Sequence, residues 1–172
     1  QKKTRFAVVR YGNVINSRGS VIPFFKKMIL EKNFFPVTHK DMTRFFIKVE
    51  DGVKFVIKSF ERMFGGEIFI PKVDSIKIID IARTINPRAK IKIIGIRPGE
   101  KMHEILCPQD EAHLTLEFKD HLVIKPSIGL DIKSNYKINA IKEKGKKVSN
   151  SFEYVSNKNK FLSLNNIKKI IS

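Results

Sequence analysis

Short apolar runs with strand character alternate with stretches of helical periodicity along most of this chain, and that alternation restricts it to an α/β architecture. Residues 5–10 (RFAVVR) read as a buried strand, followed by a loop rich in Asn, Ser and Gly over 11–19. A helix is expected from a Ser20 cap to about Lys32, with Pro23 in its first turn, where a missing N–H does no harm. Residues 34–38 read as a connector broken by Pro36, and 43–47 as a strand. Helices are expected at 50–63, with Val53, Val56, Ile57 and Phe60 facing inward, and at 75–85, opened by Ser75. Further strands are expected at 67–70, 90–94 and 121–125, and helical segments from Pro98 through Ile105 and over 110–118. Beyond Pro126 the chain reads as an extended arm with a short final helix, which sets expected regions of 1–130 and 131–172.

A doubly wound dinucleotide-binding domain opens with a strand and a Gly-rich turn. No GxGxxG or GxxGxxG spacing occurs anywhere in these 172 residues, so that fingerprint is missing rather than degraded. The strand at 5–10 therefore reads as a late strand of a parallel sheet whose other strands lie upstream, with an exposed edge. Gln1 is not an initiator Met, and Phe6 to Val9 is too short for a signal-peptide core, so the chain is expected to begin inside a longer protein. No apolar run reaches the ~18 residues of a membrane span. The single cysteine, Cys107, suits a reducing, cytoplasmic setting and reads as a bystander thiol.

The formal charge of +17 points towards polyanions, and a basic nucleic-acid-binding protein is one reading of it. Against that reading, 26 Lys outnumber 8 Arg and are scattered rather than massed, Trp is absent, and no stretch interleaves aromatics with Arg for base stacking. A phosphate-bearing small substrate fits the arginine placements better.

Three segments are more specific than packing requires. In Arg10-Tyr11-Gly12-Asn13-Val14 and Ser17-Arg18-Gly19-Ser20, a strand delivers Asn13 and a flexible loop to a helix N-terminus, a place suited to an anion; a plain turn and helix cap is the alternative. Met42-Thr43-Arg44-Phe45 opens a strand with an arginine, which could equally be a surface charge. In Arg97-Pro98-Gly99-Glu100-Lys101, a constrained turn can project a forked donor for phosphates and a carboxylate for ribose hydroxyls; the alternative is a local ion pair.

Taken with Gly65-Gly66-Glu67-Ile68-Phe69, the run from Ile94 to Glu104, and Phe152-Glu153-Tyr154 in the tail, these segments resemble the inverting UDP-N-acetylglucosamine 4,6-dehydratases. That family belongs to the polysaccharide-biosynthesis group of the extended short-chain dehydrogenase/reductase superfamily. The resemblance covers essentially the whole chain. It implies the C-terminal part of such a fold: the last Rossmann strands and a small substrate-binding subdomain, without the N-terminal dinucleotide-binding half. That half carries the glycine turn, the Tyr-x-x-x-Lys pair and the acid/base residues, so no catalytic residue is assigned here. Tyr154 with Lys158 matches the pair by letters alone, in a polar tail.

By resemblance, Asn13 contacts the sugar nucleotide, Val21 and Thr38 lie along the nucleotide, Arg97 meets the diphosphate and Glu100 the uridine ribose. Arg44 is a further candidate on the substrate side. Val14, Ile15, Asn16, Ser17 and Arg18 would line the NADP end; no metal is implied. Asn16 stands where the family usually has Gly, which suggests a stiffer or different turn, and the connector over 33–40, which carries Thr38, is about one residue shorter than the family's and less acidic. The implied reaction is internal redox: hydride from hexose carbon 4 passes to NADP, water is lost across carbons 5 and 6, and hydride returns to carbon 6 with inversion at carbon 5. The product would feed surface glycans such as pseudaminic acid on flagellin. Implied partners are UDP-N-acetylglucosamine, the missing N-terminal half and, in the intact enzyme, further copies. The fragment alone is expected to be inactive and not to bind NADP; a non-catalytic UDP-sugar-binding remnant is the rival.

Overall fold

The computed structural model describes residues 4–127 and 135–171. Its elements run β1 (Val8–Val9), β2 (Asn13–Val14), α1 (Val21–Lys32), β3 (Phe34–Val37), β4 (Thr43–Ile47), α2 (Val49–Arg62) and β5 (Ile68–Pro71). There follow β6 (Ser75–Lys77), α3 (Ile78–Ile85), β7 (Lys90–Ile93), β8 (Ile105–Cys107) and a 3-10 helix at Gln109–Leu114. The chain then forms β9 (Thr115–Glu117), β10 (His121–Ile124), β11 (Lys146–Lys147), β12 (Tyr154–Val155) and α4 (Leu164–Ile171). The mixed α/β class is as expected. The expected boundary at 130 falls outside the described residues, and the chain forms two compact units from interleaved segments.

The first unit draws on 1–11, 50–72 and 105–154. Its sheet has the order β1-β5-β10-β9-β11, with β1 parallel to β5 and the later pairs antiparallel. Phe55 of α2 clusters with Phe69, Leu116 and Val123 from that sheet and with Phe118 just after β9. The expected strand at 5–10 shortens to Val8–Val9, an edge strand bonded on its β5 side through Val8 N–H to Glu67 O and Arg10 N–H to Phe69 O.

The expected orientation of α2 is wrong. Val53, Val56, Ile57 and Phe60 face outward, Phe60 with 69% of its surface exposed, while Gly52, Phe55, Ser59 and Arg62 face inward. The helix carries two candidate faces, and periodicity alone picked the more apolar one. The other is fixed by the Phe55 cluster and by Arg62, which is wholly buried yet bonded to Asp120 and Glu143. The stripe Val53-Val56-Ile57-Phe60 is an exposed apolar face of α2.

The second unit draws on 12–49, 73–104 and 155–172. It holds the sheet β2-β4-β6 and the parallel pair β3-β7, packed with α1, α3 and α4 around Ile22, Phe25, Phe35, Ile76, Ile81 and Ile167. Three expectations fail here. The stretch at 34–38 is a strand paired with β7, and Pro36 is tolerated because β3 pairs on one side only and needs no donor there. Ser75 lies in β6, paired with Phe45 of β4, and α3 starts three residues later at Ile78. Nor does Pro98 open a helix: residues 97–100 form a turn with Gly99 at φ +77°, and β8 begins at Ile105. The expected final helix is α4, and the segment at 144–147 folds back onto β9 instead of staying extended. No helix among the described residues is long and apolar enough to cross a membrane.

Candidate functional site

The second unit contains a cavity of about 280 Å³. The six residues expected to touch substrate, Asn13, Val21, Thr38, Arg44, Arg97 and Glu100, all line it. They come from five separate stretches of sequence, so the fold, not local spacing, gathers them.

Asn13 sits in β2, paired with Phe46 of β4. The preceding residue must be glycine for this approach: a Cβ on Gly12 would lie 2.6 Å from both Cβ and the carbonyl oxygen of Phe45, closer than atoms can pack. Val21 is the first residue of α1 and Ile78 the first of α3, so two helix N-termini with their partial positive charge border the same space. Ser20 is the N-cap of α1 by position, yet its hydroxyl makes no capping bond. Thr38 is buried, its hydroxyl donating to Met42 Sδ at 3.1 Å.

The turn at 97–100 is closed twice. Glu100 N–H donates to Arg97 O (3.0 Å), and Arg97 N–H donates to Glu100 Oε2 (3.1 Å). Glu100 therefore braces the backbone, and among the described residues its carboxylate forms no ion pair with the exposed Arg97 guanidinium, which the local-pair alternative requires. Arg44 is held differently. Nη1 donates to the carbonyls of Thr43 (2.7 Å) and Met102 (3.0 Å), Nη2 to Lys101 O (2.6 Å), and Nε faces Glu104 at 3.8 Å. Burial pushes its pKa down, and the Glu104 and Glu100 carboxylates oppose that, so the group stays charged.

Beside it, Thr43 Oγ1 lies 2.8 Å from His103 Nδ1 and 2.7 Å from Ser156 Oγ, while Glu104 N–H donates to Ser156 Oγ at 2.9 Å. Burial, then the Arg44 charge, lowers the His103 pKa, which keeps the imidazole neutral in this network near pH 7.

The segment expected at the cofactor end is not among the residues lining the cavity. Val14 pairs with Ile47, and the Ile15 side chain is packed in the core, leaving only its backbone for any ligand. Asn16, Ser17 and Arg18 are exposed. Asn16 takes φ 58°, the left-handed conformation a glycine would supply and one that Asn tolerates better than most residues, so a left-handed turn is kept without glycine. Sequence reasoning did not single out the apolar wall of the cavity, Phe24, Phe25, Pro36, Met42, Phe46 and Ile78. Phe24, near the start of α1, is 38% exposed, and helical periodicity does not reveal that it faces a cavity.

A family model described as polysaccharide biosynthesis protein matches residues 1–126. An inverting UDP-N-acetylglucosamine 4,6-dehydratase of Campylobacter jejuni is 56% identical over 160 residues, which is 92% of this chain and 48% of that protein. A UDP-glucose 4-epimerase of Rickettsia bellii is 35% identical over 173 residues, 98% of this chain and 50% of that one. Among solved structures, Pen from Bacillus thuringiensis superposes with a TM-score of 0.80 at 31% identity, over 97% of this chain and 49% of that chain. The chain thus spans about half the length of the relatives it matches.

Proposed function

Because the chain belongs to the polysaccharide biosynthesis protein family, we propose that it is the C-terminal, substrate-binding portion of a UDP-N-acetylglucosamine 4,6-dehydratase serving surface-glycan synthesis, such as pseudaminic acid for flagellin. The observation that carries this is the convergence of Asn13, Val21, Thr38, Arg44, Arg97 and Glu100 on one cavity. Two arginines and two helix N-termini border it, an electropositive setting suited to a diphosphate. Its volume of about 280 Å³ is at the low edge of small-molecule sites, which run ~300–1,000 Å³, so it would hold part of a nucleotide sugar. The apolar wall excludes water from one side of the ligand, and Glu100 would accept from ribose hydroxyls while bracing Arg97.

The exposed turn Asn16-Ser17-Arg18 fits the edge of a phosphate-bearing cofactor, with Arg18 supplying the charge. A bound NADP would supply the hydride acceptor and donor for the internal redox. The outward stripe Val53-Val56-Ile57-Phe60 and the open edge of β1 would be covered by the half that carries the glycine turn and the Tyr-x-x-x-Lys pair.

The likeness to UDP-glucose 4-epimerases favours a second reading, a UDP-hexose epimerase with the same nucleotide site. Product analysis separates the two. A polypeptide of these 172 residues is expected to release no 4-keto-6-deoxy sugar from UDP-N-acetylglucosamine, and the protein that joins it to the catalytic half is expected to do so. Product from the short polypeptide alone, or a C4-epimerised hexose from the joined protein, would overturn the proposal.

A further inference from the structure

We propose that Arg44 is a positioning residue, whose guanidinium clamps the segment carrying Arg97 and Glu100 in the shape that presents them to the cavity. Arg44 takes this role in ligand binding only if the cavity binds a uridine diphosphate, as proposed above.

Three of the five N–H donors of Arg44 are spent on main-chain carbonyls. Two of these, Lys101 O and Met102 O, are consecutive and lie in the segment directly after the Arg97–Glu100 turn. In a helix starting near Pro98, those carbonyls would accept from N–H groups four residues on. Here Arg44 takes both, and Thr43 N–H adds a second bond to Met102 O at 3.2 Å. The strand β4 thereby holds open a segment whose sequence favours a helix. Nε faces Glu104 and one Nη2 N–H is left over, so a forked grip on phosphate would require Arg44 to turn from Glu104 or release a carbonyl it already holds. Among the described residues Arg97 makes no such bond to a carbonyl, and it is exposed and lines the cavity. The two arginines thus divide the work: Arg97 meets the ligand, and Arg44 fixes where Arg97 stands.

The test uses the protein that joins this chain to its catalytic half, with UDP as the titrant and amide hydrogen exchange as the second readout. Arg44→Met should weaken UDP binding about tenfold, the effect of losing roughly one net hydrogen bond's worth of pre-organisation. It should also speed exchange over 97–104 by at least ~10-fold, because bonds closing that turn open locally. Arg44→Lys, which offers a point charge with three donors, should restore part of both. Since Arg44 acts through the turn, Arg44→Met should add little once both ligand groups of the turn are gone: Arg97→Ala/Glu100→Ala should bind UDP about equally weakly with and without Arg44→Met.

Unchanged exchange over 97–104 in Arg44→Met would overturn the clamp. A further multiplicative loss when Arg44→Met is added to Arg97→Ala/Glu100→Ala would overturn it too, since it would make Arg44 a ligand contact in its own right. If Arg97→Ala and Glu100→Ala leave UDP affinity unaltered, the uridine diphosphate site itself fails. The exchange arm still decides whether Arg44 holds the turn.

Discussion

Replacing Arg97 with alanine is expected to weaken UDP-sugar binding by about 1.5–3 kcal/mol, the scale of a hydrogen bond to a charged group, or roughly 10- to 150-fold. The effect is large because the guanidinium stands exposed at the cavity wall, where it can fork across two phosphate oxygens. Arg97→Lys should rescue only part, since an ammonium cannot reproduce the fork. At Glu100 the structure separates two losses. Glu100→Gln keeps an acceptor for the Arg97 N–H and so keeps the turn, losing only charge towards the ribose; Glu100→Ala loses both and should cost more. Titration calorimetry of the joined protein reads all four variants. If both alanine variants match the parent, the turn is a local brace without a ligand.

The largest effect on stability is expected at Arg62. Its side chain is fully buried, yet it bonds both oxygens of Asp120 (2.9 Å each) and both of Glu143 (2.7 and 3.0 Å), joining α2 to two distant turns. Arg62→Ala removes the buried cation, leaves the two carboxylates with only the exposed Lys58 between them and opens a cavity, at a cost of about 2–4 kcal/mol; the range is set below the top for buried pairs because both carboxylates are partly exposed. Chemical denaturation measures this, and a cost below ~1 kcal/mol would contradict it.

The pH dependence follows from the same cluster. Burial lowers the His121 pKa, against the opposing bond to Asp120, so the folded state holds a neutral imidazole stacked 4.5 Å from Phe118. The unfolded state binds that proton first, so His121 contributes stability above about pH 6.5 that is lost as pH falls below it. Burial alone would raise the Asp120 pKa, but the bonds from His121 and Arg62 outweigh it and hold it well below the usual range; the Arg62 bond likewise lowers Glu143. Their contribution is present above about pH 4 and lost as pH falls through the depressed folded values. Acid should therefore destabilise the protein in two limbs, and His121→Phe, which keeps the stack, should weaken the upper one and leave the part that His103, whose pKa burial also lowers, contributes.

Periodicity in the sequence located α1, β4, α2, β5, β7, β10 and α4 because each packs on its own neighbours much as its pattern demands. It failed where tertiary bonds override local preference. Residues 98–105 lose their helix to Arg44 and to Gly99 at positive φ. Residues 34–37 become a strand because Ile91 and its neighbours pair there, which the proline disguised. For α2, no pattern could tell which face meets the sheet, since a buried arginine lies on the inner side and four apolar residues lie on the outer one. The six cavity residues came from the resemblance of whole motifs to a family, because a ligand gathers residues by space and not by period. What no sequence pattern carried was the wall of the cavity and the carbonyl grip of Arg44.

Retention on a uridine diphosphate matrix, compared with a DNA matrix at matched salt, tests most directly whether the cavity is a nucleotide-sugar site. The joined protein should be retained by the uridine matrix, be released by free UDP, and lose retention on Arg97→Ala. A protein whose +17 charge is used on nucleic acid would instead hold to DNA, with affinity falling steeply as salt rises. DNA retention unaffected by UDP, together with passage through the uridine matrix, would contradict the account.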